Sequence, residues 1–218
     1  CINYFIEYMN QNNGKNSMGL DNCFEELENP IDLFKNWFAK AKESEINDPN
    51  AVALATANIK NQPSVRMVLL KGISNEGFVF YTNFNSKKSS DIKSNQFASM
   101  CFHWKSLRRQ VRVKGQVKPV TDEEADKYFS SRAYGSRISA WASSQSKSMK
   151  DRNIFLKKID DFKKKYPDIN NVPRPSHWSG WRIHPLEVEF WIDGKNRIHE
   201  RLNYIFKKGK WVKEILYP

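Results

Sequence analysis

Residues 191–201, WIDGKNRIHER, concentrate side chains that could do chemistry. An apolar strand end runs into a turn built on Asp193 and Gly194, and Arg197, His199 and Arg201 follow at alternate positions. On a strand, period-2 geometry would point all three to one face. Two guanidiniums and an imidazole on one face suit an anion or a cofactor, or else make a solvated hairpin edge. Further donors are spread along the chain. Arg66 and Lys71 bracket an apolar strand, RMVLLK, and five positions apart they fall on opposite faces, so they serve different anions or are edge charges. Tyr81-Thr82 ends the next strand. Ser86-Lys87-Lys88 opens a helix, where amides and lysines can meet an anion, although many helices start this way without one. Gln110 and Arg112 alternate with valines, as a heterocycle partner or as an exposed polar face. Tyr128, Arg132 and Ser136 are spaced four apart, so one helical face could offer a phenol, a guanidinium and a hydroxyl to a phosphate, if Gly135 does not break the helix first. No acid–base carboxylate pair and no nucleophile with a base stands out. A donor-rich set of this kind fits an enzyme whose cofactor carries the chemistry.

The elements that must position these groups are mainly β. Asn29-Pro30 reads as a helix start, followed by an apolar face of Ile31, Phe34, Trp37, Phe38 and Ala41. From Ala51 the period changes, and five β-segments follow in about 70 residues with close turns, leaving little room for βαβ crossovers. That predicts an antiparallel barrel or sandwich. Thr121 starts a capping-box helix. Residues 149–166 read as an amphipathic helix with Ile154, Phe155, Ile159 and Phe162 inward and its lysines solvated. LEVEFWI returns to strand, and a hairpin around Gly209 closes the chain. The expected organisation is a flexible arm over residues 1–28 and a single domain over 29–218.

Composition limits the classes. The chain has 218 residues, 39% hydrophobic, with seven Trp, fourteen Phe and eight Tyr, which is enough for a sizeable core. A net charge of +12 admits nucleic acid, an anionic membrane surface or phosphorylated small molecules, but the lysines are dispersed rather than gathered in a tail. Three cysteines without CxxC spacing argue against a disulfide framework and for a reducing compartment. Four histidines show no HxxxH or HExxH pair, so no metal is expected. No apolar run reaches about 18 residues.

Six segments taken together resemble the pyridoxamine 5′-phosphate oxidase family: RMVLLK (66–71), FYTNFNSKK (80–88), FHWKSLRRQVRVKG (102–115), YFSSRAYGSRISAWASSQS (128–146), VPRPSHWSGWR (172–182) and EFWIDGKNRIHER (189–201). They occur in order, from about residue 30 to the end. The resemblance implies an FMN-binding split barrel, α+β and mainly antiparallel, acting as a homodimer with active sites at the subunit interface. It implies oxidation of pyridoxamine 5′-phosphate and pyridoxine 5′-phosphate to pyridoxal 5′-phosphate in vitamin B6 metabolism and salvage, in the cytoplasm. Hydride would pass to the flavin and on to O2, releasing H2O2, and ammonia from the amine substrate. Carried over, the cofactor contacts are Arg66, Met67, Val68, Leu69, Leu70 and Lys71 on one strand. Tyr81, Thr82, Lys87, Lys88 and Gln110 add to them, with Gln145, Ser146, Trp191 and Arg201. Substrate phosphate would meet Lys71, Tyr128, Arg132 and Ser136. Arg197 and His199, with Ile198 between them, would lie against the substrate ring as the catalytic pair. The chain departs from the family at Lys87, where Arg is usual and only Arg offers a bidentate fork. It departs also at Ala133, Arg137, Ser139 and Ser179, and the nearest match to an N-terminal Arg-x-x-Tyr is Phe5 to Tyr8. The resemblance thus weighs against two other readings, a non-catalytic split-barrel binder of FMN or pyridoxal phosphate and a basic nucleic-acid-binding module.

Overall fold

The fold is that of a computed structural model describing residues 14–218. Among the described residues there are nine strands and five α-helices, mainly antiparallel β with flanking helices as expected, with the short strand at Gly72–Ser74 and the helix at Tyr134–Ala142 added to the elements read from the sequence. The strands are β1 (Ala51–Ala57), β2 (Pro63–Leu69), β3 (Gly72–Ser74), β4 (Gly77–Asn83), β5 (Phe97–Trp104), β6 (Arg109–Pro119), β7 (Trp178–Ile192), β8 (Glu200–Lys207) and β9 (Lys210–Ile215). The helices are α1 (Pro30–Ser44), α2 (Lys87–Ser94), α3 (Asp122–Ser130), α4 (Tyr134–Ala142) and α5 (Arg152–Lys165). Strands hydrogen-bond in the order β2-β1-β5-β6-β7-β4-β3, with β8 on β7 and β9 on β8. The domain expected over 29–218 divides into two compact units. The first takes residues 14–53, 99–115 and 185–218, and the second takes 54–98 and 116–184.

In the first unit α1 supplies the core. Asn29 caps it by accepting from the Ile31 amide, Pro30 opens it, and Leu33, Phe34, Trp37 and Ala41 are buried along one stripe. Trp37 meets Phe190 edge-on at 5.1 Å and Phe24 at 5.4 Å, and Phe190 meets Tyr204 at 5.8 Å. Aromatic pairs of this kind add about 0.5–1.5 kcal/mol beyond area burial. Residues 14–28, which fall within the arm expected over 1–28, make tertiary contacts in this unit. Asn16 Nδ2 donates to the Phe24 carbonyl at 2.7 Å, Trp37 Nε1 donates to the Cys23 carbonyl at 2.7 Å, and Leu20 and Phe24 are core residues. These contacts are tertiary and leave no periodic trace in the sequence. The Phe5–Tyr8 match lies outside the described residues.

In the second unit β4 pairs with the start of β7, from Phe78↔Ile183 to Asn83↔Trp178. Gly180 is required there, because a Cβ would come within 2.8 Å of the Tyr81 ring and 2.9 Å of Val120. A small core of Phe129, Ile138, Ala140, Val172 and Trp178 takes in Ile159, Phe162 and Tyr166 at its margin. Helix α5 rests on it by Phe162 and Ile159, whereas Ile154, expected inward, is about half exposed. The lysine face of α5 is solvated, as expected.

Candidate active site

The second unit carries a cleft of about 630 Å³, within the usual range for small-molecule sites. Met67, Val68 and Leu69 of β2 line it, with Lys71 just beyond the strand, Tyr81 and Thr82 of β4, Lys88 of α2, Tyr128 of α3, Arg132 and Gln145. All ten are among the residues singled out from the sequence. Asn83, Ser139, Ala140, Ser143, Phe155 and Trp178 line it as well and were not foreseen. Asn83 and Trp178 stood inside the matched segments, but nothing in their spacing marked them.

One end of the cleft is a polar knot. Lys88 is nearly buried, and its Nζ donates to Gln145 Oε1 at 2.7 Å, Thr82 Oγ1 at 3.0 Å and Ser86 Oγ at 3.3 Å. Thr82 Oγ1 donates to the same Gln145 oxygen at 3.0 Å, and Asn83 Nδ2 holds the Ser143 carbonyl at 3.0 Å. Among the described residues no carboxylate pairs with Lys88. Burial, with the charge of Arg66 nearby, pulls its ammonium down to about 8. A buried cation surrounded by neutral acceptors suits an anion.

The other end is aromatic and cationic. The rings of Tyr81, Tyr128 and Trp178 stack nearly parallel, Tyr81 lying 4.0 Å from Tyr128 and 5.3 Å from Trp178. The Arg132 guanidinium lies over Trp178 at 4.7 Å. Its Nη1 is buried and has no hydrogen-bond partner among the described residues. An unpartnered buried donor is costly, and a phosphate oxygen would satisfy it. Burial pushes the Tyr81 phenol up to about 12, so it stays a neutral donor. The donor set at the two ends therefore fits a cofactor and a substrate that both carry phosphate.

Tyr128, Arg132 and Ser136 do not share one helical face, which corrects the spacing argument. The chain leaves the helix between α3 and α4, so Tyr128 lies in the last turn of one helix, Arg132 in the link and Ser136 in the first turn of the other. Gly135 lies inside α4 rather than breaking it. Ser136 is half-buried and does not line the cleft. Arg66 turns toward its own sheet, with Nη1 donating to the Leu54 carbonyl and Thr56 Oγ1 and Nη2 to Ser64 Oγ. Leu70 is a core residue. Lys87 pairs with buried Asp91 at 3.2 Å, and with Ser146 it lines a separate depression.

The remaining candidates belong to the first unit. Arg201 faces Trp191 across the β7–β8 ladder, and its Nε donates to buried Glu189 at 2.9 Å. Glu189 also takes a bond from Arg112, and the two arginines hold its carboxyl below the ordinary carboxylate value against the opposing effect of burial. Gln110 is half-buried two positions before Arg112 on β6. The single face expected for Arg197, His199 and Arg201 is corrected. The chain makes a 3-10 turn over Lys195–Arg197, with Asn196 at φ 58° and Arg197 at φ 66°, and re-enters a strand only at Glu200. Arg197 and Ile198 are exposed, and His199 is half-buried against the Trp191 ring at 4.7 Å. Left-handed residues in succession destroy period-2 alternation.

The model of the pyridoxamine 5′-phosphate oxidase family matches residues 38–166, and that of the pyridoxine 5′-phosphate oxidase C-terminal dimerisation region matches 178–218. A pyridoxine/pyridoxamine 5′-phosphate oxidase of Pelagibacter ubique is 56% identical over 207 residues, covering 94% of this chain and all of the relative. Its counterpart in Agrobacterium fabrum is 52% identical over 89% of this chain and 95% of its own length. Among solved structures, PhzG from Burkholderia lata, in complex with tetrahydrophenazine-1-carboxylic acid, superposes with a TM-score of 0.85 at 29% identity, over 91% of this chain and 97% of that one.

Proposed function

Since the chain belongs to the pyridoxamine 5′-phosphate oxidase family, we propose that it oxidises pyridoxamine 5′-phosphate and pyridoxine 5′-phosphate to pyridoxal 5′-phosphate in vitamin B6 salvage. What supports this reading is one cleft lined by two donor sets, the Lys88–Thr82–Gln145 knot and the Tyr128–Arg132 group, with Lys71 also on its lining. Bound FMN would supply the two-electron acceptor, with O2 as final acceptor leaving as H2O2.

The chain's own work is binding, orienting and screening. Lys88, Thr82 and Gln145 of the cleft hold the cofactor; Arg66, Lys87, Ser146, Gln110, Trp191 and Arg201, which do not line it, are assigned to the cofactor by the family resemblance alone. Met67, Val68 and Leu69 give it an apolar strand, and Tyr81 gives it a neutral phenol; Leu70, in the core, is assigned to the cofactor by the resemblance alone. Lys71, Tyr128 and Arg132 hold the substrate phosphate, and the orphaned Arg132 Nη1 supports that role; Ser136, off the lining, is assigned to it by the resemblance alone. Arg197, Ile198 and His199 orient the substrate ring. Positioning of this kind accounts for rate without an acid–base pair in the protein. The match to a dimerisation region, and the exposed apolar row Val65, Met67 and Leu69 on β2, support a homodimer with active sites at its interface. Free thiols at Cys23 and Cys101 support a cytoplasmic setting.

An absorption spectrum of the purified protein, followed by H2O2 release on adding pyridoxamine 5′-phosphate, tests the reading. Flavin bands and substrate-dependent peroxide are expected. A protein that takes up no added FMN and forms no pyridoxal phosphate would refute it.

A further inference from the structure

The loop between β7 and β8 gives the His199 ring two competing partners at one nitrogen. Nδ1 lies 3.2 Å from Asp193 Oδ1 and 3.1 Å from the backbone nitrogen of Gly194. A protonated Nδ1 can donate to the carboxylate, whereas a bare Nδ1 can accept from the Gly194 N–H. The neutral ring cannot do both, and the two arrangements are opposite tautomers. The surroundings hold the ring in place while leaving this choice open. Trp191 covers one face of the imidazole. Gly194 is pinned, because a Cβ there would fall 1.7 Å from the Ile198 carbonyl oxygen.

Asp193 is held in its turn. Arg108 donates to its Oδ2 through Nε at 3.1 Å and approaches the same oxygen with Nη2 at 2.9 Å. Arg108 Nη2 also donates to the Asp193 carbonyl at 3.1 Å, and the Asp193 N–H donates to the Arg108 carbonyl at 3.0 Å. The carboxylate is thereby divided, Oδ2 going to Arg108 and Oδ1 remaining for His199.

We infer that Asp193, clamped by Arg108, is a positioning residue that sets the tautomer of His199, with Nδ1–H toward the carboxylate and Nε2 left as a hydrogen-bond acceptor. A hydrogen bond to a charged acceptor outweighs a neutral one by about tenfold in an equilibrium, and the ratio of tautomers follows. Without the carboxylate charge, the Gly194 amide takes Nδ1, and Nε2 becomes an N–H donor. One side chain can thus present either polarity to a ligand, and this loop fixes which. The consequence for catalysis rests on the proposed placement of His199 at the substrate ring, where an accepting Nε2 takes a hydrogen bond from a substrate donor and a donating one cannot.

The test uses the full chain in its FMN-loaded form, labelled with 15N-histidine, read on the alkaline plateau of a pH series, where the His199 nitrogen shifts no longer change. Two-bond 15N–1H spectra report the tautomer, and His199→Gln identifies the signal. The expected result is Nδ1–H as the main form in the unaltered protein, with the ratio falling about tenfold toward Nε2–H in Asp193→Asn. An Nε2–H form dominating in the unaltered protein, which needs no variant to observe, overturns the inference, as does an equal ratio in the two proteins. Turnover is measured in parallel. A tautomer that moves while kcat/KM does not would uphold the inference and instead refute the placement of His199 at the substrate.

Discussion

Removing the Lys88 amine, as in Lys88→Met, separates the energetics of folding from those of cofactor binding. Lys88 is nearly buried and among the described residues has only neutral acceptors, and its ammonium is pulled from 10.5 to about 8, first by burial and then by Arg66. Below about pH 8 the amine is charged in both the folded and the unfolded chain, and the folded state bears the full cost of burying that charge. Between about 8 and 10.5 the unfolded chain holds the proton that the folded chain has released, so stability rises with pH across that window. At about 1.4 kcal/mol per pH unit the full effect is about 3 kcal/mol. Lys88→Met removes this titration along with three hydrogen bonds of about 1 kcal/mol each. Near pH 7.5 the two losses roughly cancel, so the FMN-free proteins should unfold at similar urea concentrations. By pH 10.5 the unaltered protein should be ahead by about 2–3 kcal/mol. FMN affinity, read by quenching of flavin fluorescence at pH 7.5, should fall about 10- to 100-fold in the variant. A stability gap between the two proteins that stays constant from pH 7.5 to 10.5 would refute the account of Lys88.

Arg132→Lys should raise KM for pyridoxamine 5′-phosphate at least about tenfold while leaving FMN affinity unchanged, because lysine loses the planar contact with Trp178 and the second donor; steady-state kinetics and flavin titration check this. Gly194→Ala places a methyl against the Ile198 carbonyl and should cost about 2 kcal/mol or more by urea denaturation, or else displace the loop so that the Trp191 fluorescence changes. Tyr204→Phe removes the hydroxyl that donates to the Leu27 carbonyl at 2.9 Å and should cost about 1 kcal/mol in the same assay.

The strands were legible because their alternation was clean. β6 buries Val111, Val113 and Val117 and exposes Arg112 and Lys114 between them, as the sequence suggests. Helix α1 was legible from its cap and its apolar stripe. The cleft was only partly legible. Lys71, Tyr81, Lys88 and Arg132 come from separate segments, and no local period links them; the resemblance to a family did. The turn at 195–197 was hidden because Asp-Gly marks where a strand ends but not how far the irregular backbone extends. Ser136 and Tyr128 kept their spacing of eight while the helix between them broke, since sequence distance carries facing information only within one unbroken helix. The burial of Phe24 rests on Trp37, a partner thirteen residues away, and periodicity cannot report such a contact.

The division of the chain sets an order of events during synthesis. The second unit is complete once residue 184 has emerged, whereas the first still lacks residues 185–218. Until those appear, Trp37 has no Phe190 to pack on, and the carbonyl of Leu27 has no Tyr204 hydroxyl. Residues 14–53 therefore reach their packed state only once residues 185–218 are present. Such long-range closure is slow and leaves apolar surface open meanwhile. A released chain truncated before β8 would carry every residue lining the cleft but lack Tyr204 from the aromatic core, and holdase chaperones should bind it at α1.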